Sequence, residues 1–342
     1  MDAELRAPGF WESLRELLPG RRRMLDSVQV EVTSRCLGRC FYCPHTIYKK
    51  SWQSRDMPLE RFRRLWPILL RAERVHLQGW GEPLLNPALF GMAKLARKAG
   101  CAVSTTTCGL GLTEERAVAL VESEFDLVAF SLMGTDEPSN AGRDGIAFRD
   151  VTAAVNRLQA VRRARGAVHM EIHFAYLMLA SHMTAVRGLP VLMQRLGVHA
   201  AVVSMLNDLP DAGLADEAFL PAETDKLAAA QAILAETAAE ARRLGMGFDY
   251  FVPQSDHARP GCREGLGRSV FVSAGGDLSP CVFLNIPAGV LEEQRRIFGN
   301  IDSEDPLTIW EKPAYRAFRA IIGFVAGDAV CRTCPKRFMD VL

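Results

Sequence analysis

The chain has 342 residues, is 49% hydrophobic and 24% charged, and carries a formal net charge of +1. That length holds one large core plus a smaller module. The near-neutral balance gives no electrostatic case for nucleic acid, and no apolar run is long enough to suggest a membrane span.

The first stretch reads as a short helix, with Phe10, Trp11, Leu14, Leu17 and Leu18 on one face and Pro19-Gly20 ending it. Glu4, Arg6, Glu12, Arg15 and Glu16 interrupt its apolar residues. No signal-peptide pattern results, and a cytoplasmic location is expected. Arg21-Arg22-Arg23 reads as a solvated linker, because no further basic patch accompanies it. Residues 1–27 are expected to form a helical extension.

From residue 28 strand and helix alternate. Candidate strands are 28–34, 75–78, 102–107, 127–132, 170–177 and 200–205. The spacing of Leu59, Phe62, Trp66 and Leu69 predicts a helix over 58–72, bent at Pro67. A second helix over 87–99 is closed by Gly100. Thr113 can cap a third, with Glu114 and Glu115 in its first turn. Asp150 starts a fourth, whose apolar face is Val151, Ala154, Val155 and Leu158. Residues 184–196 close at Gly197, and the Ala-rich 221–244 closes at Gly245. Six such units imply parallel strands with helices outside the sheet. A further strand at 247–252 is expected to lead out of this domain, with Pro253 and Pro260 at its boundary.

Nine cysteines punctuate the chain, and seven fall into two sets. Cys101 and Cys108 stand apart and read as buried thiols. The first set, Cys36, Cys40 and Cys43, has the spacing C-x3-C-x2-C on a loop leaving the first strand. Three thiolates on such a loop suit an iron–sulfur cluster with one iron left open. Unrelated buried thiols, or a zinc site short of its fourth ligand, are the alternatives. The second set is Cys262 and Cys281, with spacing C-x13-G-x4-C across a hairpin at Gly275-Gly276, and then Cys331-Arg-Thr-Cys334. Four thiolates fit zinc and iron–sulfur equally well by count.

The first set, together with the loops after the next strands, resembles the radical S-adenosylmethionine (SAM) superfamily. The resemblance implies an α/β fold, a partial (β/α)6 barrel open at one side, over residues 28–254. It implies a [4Fe–4S] cluster on Cys36, Cys40 and Cys43, with the amine and carboxylate of SAM on the fourth iron. Tyr42 matches an aromatic position near the adenine. Gln78-Gly79-Trp80-Gly81-Glu82-Pro83 is similar to the Gly-Gly-Glu-Pro motif that holds the SAM amino group, with Trp80 in place of a glycine. Cys108 stands where relatives carry the Asn of Thr-Asn-Gly. Ser131 is expected at the SAM ribose or carboxylate and Arg143 at the carboxylate, with Met133 replacing a usual Asp. Glu171 and His173 are expected to face the barrel interior, Glu171 as a SAM contact. The segment around Met205 is expected to meet adenine through its backbone.

The second set, with Phe298-Gly299-Asn300-Ile301 before a helix around 309–321, resembles the auxiliary-cluster module called SPASM. No further cysteine comes after Cys334, which resembles its shortened Twitch form with one auxiliary [4Fe–4S] cluster over residues 255–342, built as a β-hairpin plus helix. The resemblance implies reductive cleavage of SAM to methionine and a 5′-deoxyadenosyl radical that abstracts a substrate hydrogen. A fully ligated second cluster offers the substrate electron an exit, which suits net oxidation or crosslinking. Two substrate classes are expected from the family: a peptide or protein in a maturase, or a small metabolite in a dehydrogenase. An iron–sulfur electron carrier or scaffold is the non-enzymatic alternative, and the SAM motifs argue against it. The expected partners are the substrate and an electron donor such as flavodoxin or ferredoxin, with neither nucleic acid nor membrane.

Overall fold

Alternating apolar residues set the first six strands, and each is long enough to cross one sheet. They are β1 Leu25–Val30, β2 Ala72–His76, β3 Ala102–Thr107, β4 Leu127–Leu132, β5 Glu171–Met178 and β6 Ala200–Met205. The computed structural model describes residues 23–206, 210–253, 262, 264–321, 328–332, 334 and 336. The expected N-terminal helix, Arg21, Arg22, Asn207 and Pro260 lie outside the described residues. Arg23 is not a solvated linker residue: its guanidinium donates to the carbonyls of Ala72 at 2.7 Å and Ala99 at 3.2 Å.

All six strands pair in parallel, in sequence order. Helices bridge consecutive strands, as parallel pairing requires. The first crossover is split into α1 Leu59–Arg63 and α2 Trp66–Leu69, where a single bent helix was expected. Pro67 explains the break. It sits at the first turn of the second piece, where its missing N–H costs no internal bond. The remaining crossovers are α3 Leu89–Lys98, α4 Glu114–Glu122, α5 Phe148–Ala164 and α6 Leu189–Leu196. Gly100 and Gly197 follow α3 and α6 with φ of +79° and +65°, the left-handed backbone that ends a helix cheaply only at glycine. Thr113 caps α4 by accepting the Arg116 amide at 3.3 Å. The Ala-rich α7 Thr224–Arg243 leads to β7 Gly247–Tyr250. That strand pairs in parallel with β6, so it extends the sheet and does not lead out of it.

The C-terminal segment supplies β8 Ser269–Val272, β9 Asp277–Ser279 and β10 Gly299–Asn300. β8 and β9 form the expected antiparallel hairpin, turned at Gly276 with φ +90°. β8 also pairs in parallel with β1, Ser27 opposite Ser269 and Val30 opposite Val272. One ten-stranded sheet therefore runs β10-β9-β8-β1-β2-β3-β4-β5-β6-β7. Its two ends do not meet, which leaves the barrel open. Two helices, α8 Pro306–Glu311 and α9 Pro313–Ile321, come after β10. Phe298 stacks on Tyr315 with ring centroids 4.3 Å apart and fastens the strand to α9.

The two faces of β1–β6 differ in chemistry. Val28, Val30, Val75, Val103, Val128, Phe130, Ile172, Phe174, Ala201 and Val203 are buried in the apolar core. The alternate positions turn away from it, and on them lie Gln29, His76, Ser104, Thr106, Ser131 and His173. Register aligns them in layers, with Gln29 opposite His76 and His76 opposite Ser104. The inside of the barrel is therefore polar.

Candidate active site

The C-terminal ends of β1–β4 gather at one end of the barrel, its top. After β1 the chain is stitched to residues 52–56 before it reaches the cysteines. The Thr33 hydroxyl donates to Asp56 at 2.6 Å, the Ser34 hydroxyl to the Gln53 carbonyl at 2.8 Å, and the Trp52 indole to the Ser34 carbonyl at 2.8 Å. Cys36, Cys40 and Cys43 then lie close enough to act on one another electrostatically. Burial pushes the Cys36 thiol up to about 11 and the Cys43 thiol up to about 12. Tyr42 hydrogen-bonds the Cys40 thiol and packs beside Met133, Leu179, Leu206 and Leu214. That places it next to the end of β6, where Met205 sits with its side chain in the core.

The loop after β2 lies directly on the end of β1. A Cβ on Gly79 would stand 2.4 Å from the Cβ of Glu31, and one on Gly81 would stand 2.4 Å from the Thr33 carbonyl oxygen. Only glycine permits that approach. Glu82 is 4% exposed, and its carboxylate accepts from the Leu84 amide at 3.1 Å, the Thr107 hydroxyl at 2.6 Å and the Cys108 amide at 2.7 Å. It clamps the loops after β2 and β3 together. The Trp80 ring turns away toward the C-terminal segment: its Nε1 donates to the Val282 carbonyl at 3.2 Å and it meets Phe283 edge to face.

Ser131 and Arg143 meet. Arg143 donates through Nη2 to the Ser131 hydroxyl at 2.7 Å and through Nη1 to the Ser131 carbonyl. A two-stranded ribbon fixes it there, with Arg143 directly opposite Cys40. Asn140 holds the preceding turn, accepting from the Met133 amide at 3.2 Å. The guanidinium is buried against Tyr42, Cys40 and Cys108. Its Nε has no hydrogen-bond partner, and among the described residues no carboxylate forms an ion pair with it. Cys108 is buried beside Glu82, and burial raises its thiol. Cys101 is elsewhere, donating to the Leu69 carbonyl at 3.1 Å beneath α3.

Glu171 does not reach this site. It opens β5 opposite Leu127, at the bottom of the barrel, and is paired with His173 at 2.7 Å. Ala175 is the residue level with Ser131, so Glu171 lies roughly 13 Å lower at a strand's rise of about 3.3 Å per residue. Alternation gives the face of this strand but not the height. Two inner residues escape the sequence reading. His76 lies between Ser104, at 2.8 Å from Nδ1, and Thr106, at 3.4 Å from Nε2. Burial lowers its imidazole to about 4. Glu31 is buried at the end of β1, where its carboxylate accepts from the Trp80 and Ala274 amides, each at 3.1 Å. Strand alternation alone makes it look solvent-facing.

The second cysteine set also gathers. Cys262 and Cys281 act on each other electrostatically, Cys331 and Cys334 act on Cys262, and Cys334 acts on Cys281. Burial drives the Cys262 thiol up to about 12. Lys336 is ion-paired with Glu264 and lies 4.8 Å from the Phe283 ring centroid, beside the same thiols.

Both sets fit iron–sulfur clusters by donor chemistry. Among the described residues no three or more His, Cys, Asp or Glu side chains close on a point that a single ion would fill. At the first set the fit extends to SAM. Glycine backbone allows close approach, and a buried cation with an orphaned N–H calls for an anionic acceptor.

Comparison with known proteins gives the same outline. Residues 30–173 match the family described as Radical SAM superfamily. Residues 262–335 match SPASM, an iron-sulfur cluster-binding domain. The chain is 28% identical over 353 aligned residues to a PqqA peptide cyclase of Streptomyces rochei, covering 91% of this chain and 82% of the relative. It is 25% identical to the tungsten-containing aldehyde ferredoxin oxidoreductase cofactor-modifying protein of Pyrococcus furiosus, covering 85% and 82%. Among solved structures, Streptococcus suis SuiB bound to S-adenosylmethionine superposes with a TM-score of 0.69 at 14% identity, over 92% of this chain and 76% of SuiB. That likeness concerns the fold. No helix among the described residues is long and apolar enough to cross a membrane.

Proposed function

We infer, for a chain that belongs to the radical SAM superfamily and carries an SPASM iron–sulfur domain, that it oxidises or crosslinks a peptide. Likeness to a peptide cyclase along 91% of the chain carries the peptide reading. When bound, the SAM-side [4Fe–4S] cluster and SAM supply a hydrogen-abstracting radical, and the auxiliary cluster supplies an electron acceptor.

The protein's own residues do the rest. Cys36, Cys40 and Cys43 would hold the SAM-side cluster, and Cys262, Cys281, Cys331 and Cys334 the auxiliary one. Arg143, fixed by Ser131, presents its charge to the SAM carboxylate and balances the anionic thiolates. Gly79 and Gly81 bring bare backbone to the SAM ammonium, and Glu82 locks that loop from behind. Tyr42 and the backbone around Met205 wall the adenine side. The SAM barrel thus begins with β1 at Leu25, inside the stretch expected to be a helical extension, and runs to residue 254, with 255–342 acting as the auxiliary module. A flavodoxin or ferredoxin is the external electron source.

The test uses anaerobically reconstituted protein, SAM, dithionite and deuterated cell extract split into peptide-sized and metabolite-sized fractions. Deuterium should enter 5′-deoxyadenosine from the peptide fraction. Label arriving only from the metabolite fraction would replace the peptide reading with a small-molecule dehydrogenase.

A further inference from the structure

Glu31 is 1% exposed, and a carboxylate is costly to bury unless donors surround it. Its donors come from two distant parts of the chain. Oε1 takes the Trp80 amide and Oε2 takes the Ala274 amide, each at 3.1 Å. Trp80 lies in the loop after β2 that passes under the SAM site, whereas Ala274 lies in the β8–β9 turn, seven residues before Cys281. Trp80 makes a second connection, from its indole N–H to the Val282 carbonyl, next to Cys281. Burial pushes the Glu31 carboxyl up, opposed by its two amide donors and by Arg295, which is itself held by Asp277 at 2.9 Å and Asn285 at 2.7 Å. Asn285 itself lies four residues beyond Cys281.

We propose that Glu31 is a positioning residue. Its carboxylate, helped by Trp80, fixes loop 78–82 against turn 273–283 and so sets the separation and orientation of the two clusters. The proposal rests on the two-cluster reading. An ionised carboxylate suits the task because both oxygens accept, and charged acceptors bind amides more strongly than neutral ones. Glutamine has the same shape but turns one acceptor into a donor facing an N–H. One of the two connections is then lost.

The experiment compares parent, Glu31→Gln and Trp80→Phe as full chains, reconstituted and checked for iron. Pulsed dipolar electron paramagnetic resonance on the dithionite-reduced proteins reads the distance between clusters. The parent should give one narrow distribution, Glu31→Gln a shifted or broadened one, and Trp80→Phe a smaller change of the same kind. SAM titration of the three-cysteine cluster signal should show affinity about tenfold weaker in Glu31→Gln. In cluster-free protein, hydrogen exchange of the Trp80 and Ala274 amides should accelerate together in that variant. Unchanged distances with SAM affinity within about twofold of the parent would overturn the proposal. Should Glu31→Gln not retain its clusters, an unchanged distance in Trp80→Phe overturns it equally. A parent with only four irons would instead strike the two-cluster reading. The exchange measurement would still decide whether Glu31 joins the two loops, and amides that exchange at parental rates would reject that.

Discussion

Arg143, 4% exposed, beside two thiols and a phenol and, among the described residues, ion-paired with no carboxylate, is a charge that needs an anion. Arg143→Ala should therefore weaken SAM binding about tenfold or more, since a charged buried hydrogen bond is typically worth about 2–5 kcal/mol. Arg143→Lys should restore only part of it, because a point charge cannot hold Ser131 and a ligand at once. A parental isotherm for the alanine variant would mean the arginine serves only Ser131. His76 gives a second test. Its folded value of about 4 lies below the ordinary 6.5, so the unfolded chain binds the extra proton first. The contribution is full above about pH 6.5 and fades as pH falls toward 4, by roughly 3 kcal/mol in all. His76→Gln keeps hydrogen-bonding partners and cannot titrate. Its melting temperature should fall less steeply than the parent's across that window; equal slopes would exclude His76. That Ser131, Arg143 and the first three cysteines come together at one end of the barrel was legible because their motifs follow successive strands. Glu31 was not, because alternation says which face a residue takes but not whether that face is covered. Glu171 failed for a related reason: its height in the barrel depends on register with Leu127, which period carries no information about.

At the scale of elements, turns and breaks obey local chemistry closely. Pro67 divides the first crossover, Gly100 and Gly197 end their helices, and Thr113 caps α4. Thr113→Ala should cost about 1 kcal/mol of stability and leave SAM binding at the parental level, since Thr113 is exposed and its hydroxyl serves the first turn of its own helix. Loss of SAM binding in that variant would show that α4 is coupled to the site. The loop after β2 behaves differently. Gly81→Ala would place its Cβ 2.4 Å from the Thr33 carbonyl oxygen and 2.5 Å from that of Arg35, both main-chain atoms that cannot swing aside. The loop must lift off β1, and Glu82 must release its hold on Thr107 and Cys108. SAM binding should fall below detection even where circular dichroism stays native. Near-parental binding would show that the loop has room to spare. This close approach was only half visible beforehand, since Gly-x-Gly announces freedom but not what it is pressed against.

For the whole molecule, iron analysis should give about 8 Fe per chain, the sum of two four-iron clusters. Replacing Cys36, Cys40 and Cys43 with Ala should remove about half of it and abolish SAM cleavage, and continued 5′-deoxyadenosine production would sink the assignment. The converse experiment, cutting the chain after residue 253, has a different expected outcome. A separable module could be removed cleanly, but β8 is paired to β1 inside one sheet. Truncation uncovers that edge of β1 and removes the Ala274 partner of Glu31, so the shortened chain should aggregate. Recovery of a soluble, SAM-binding barrel would refute this dependence. The pairing was not legible because a short apolar run gives no hint that its partner was laid down so much earlier in the chain.

That same pairing sets an order of events during synthesis. Ser27 and Ser269 touch across a sequence separation of 242 residues. At about 5–20 residues per second, β1 waits roughly 12–50 s for the neighbour that completes it. The first cysteine loop grows from that strand, and its support through Glu31 and Ala274 arrives equally late. A nascent chain offering Cys36, Cys40 and Cys43 to the iron-delivery machinery before then presents a loop on an unfinished wall. Loading should accordingly come after β8 has been made, and slowing translation ahead of β8 should lower the fraction of enzyme that acquires its iron.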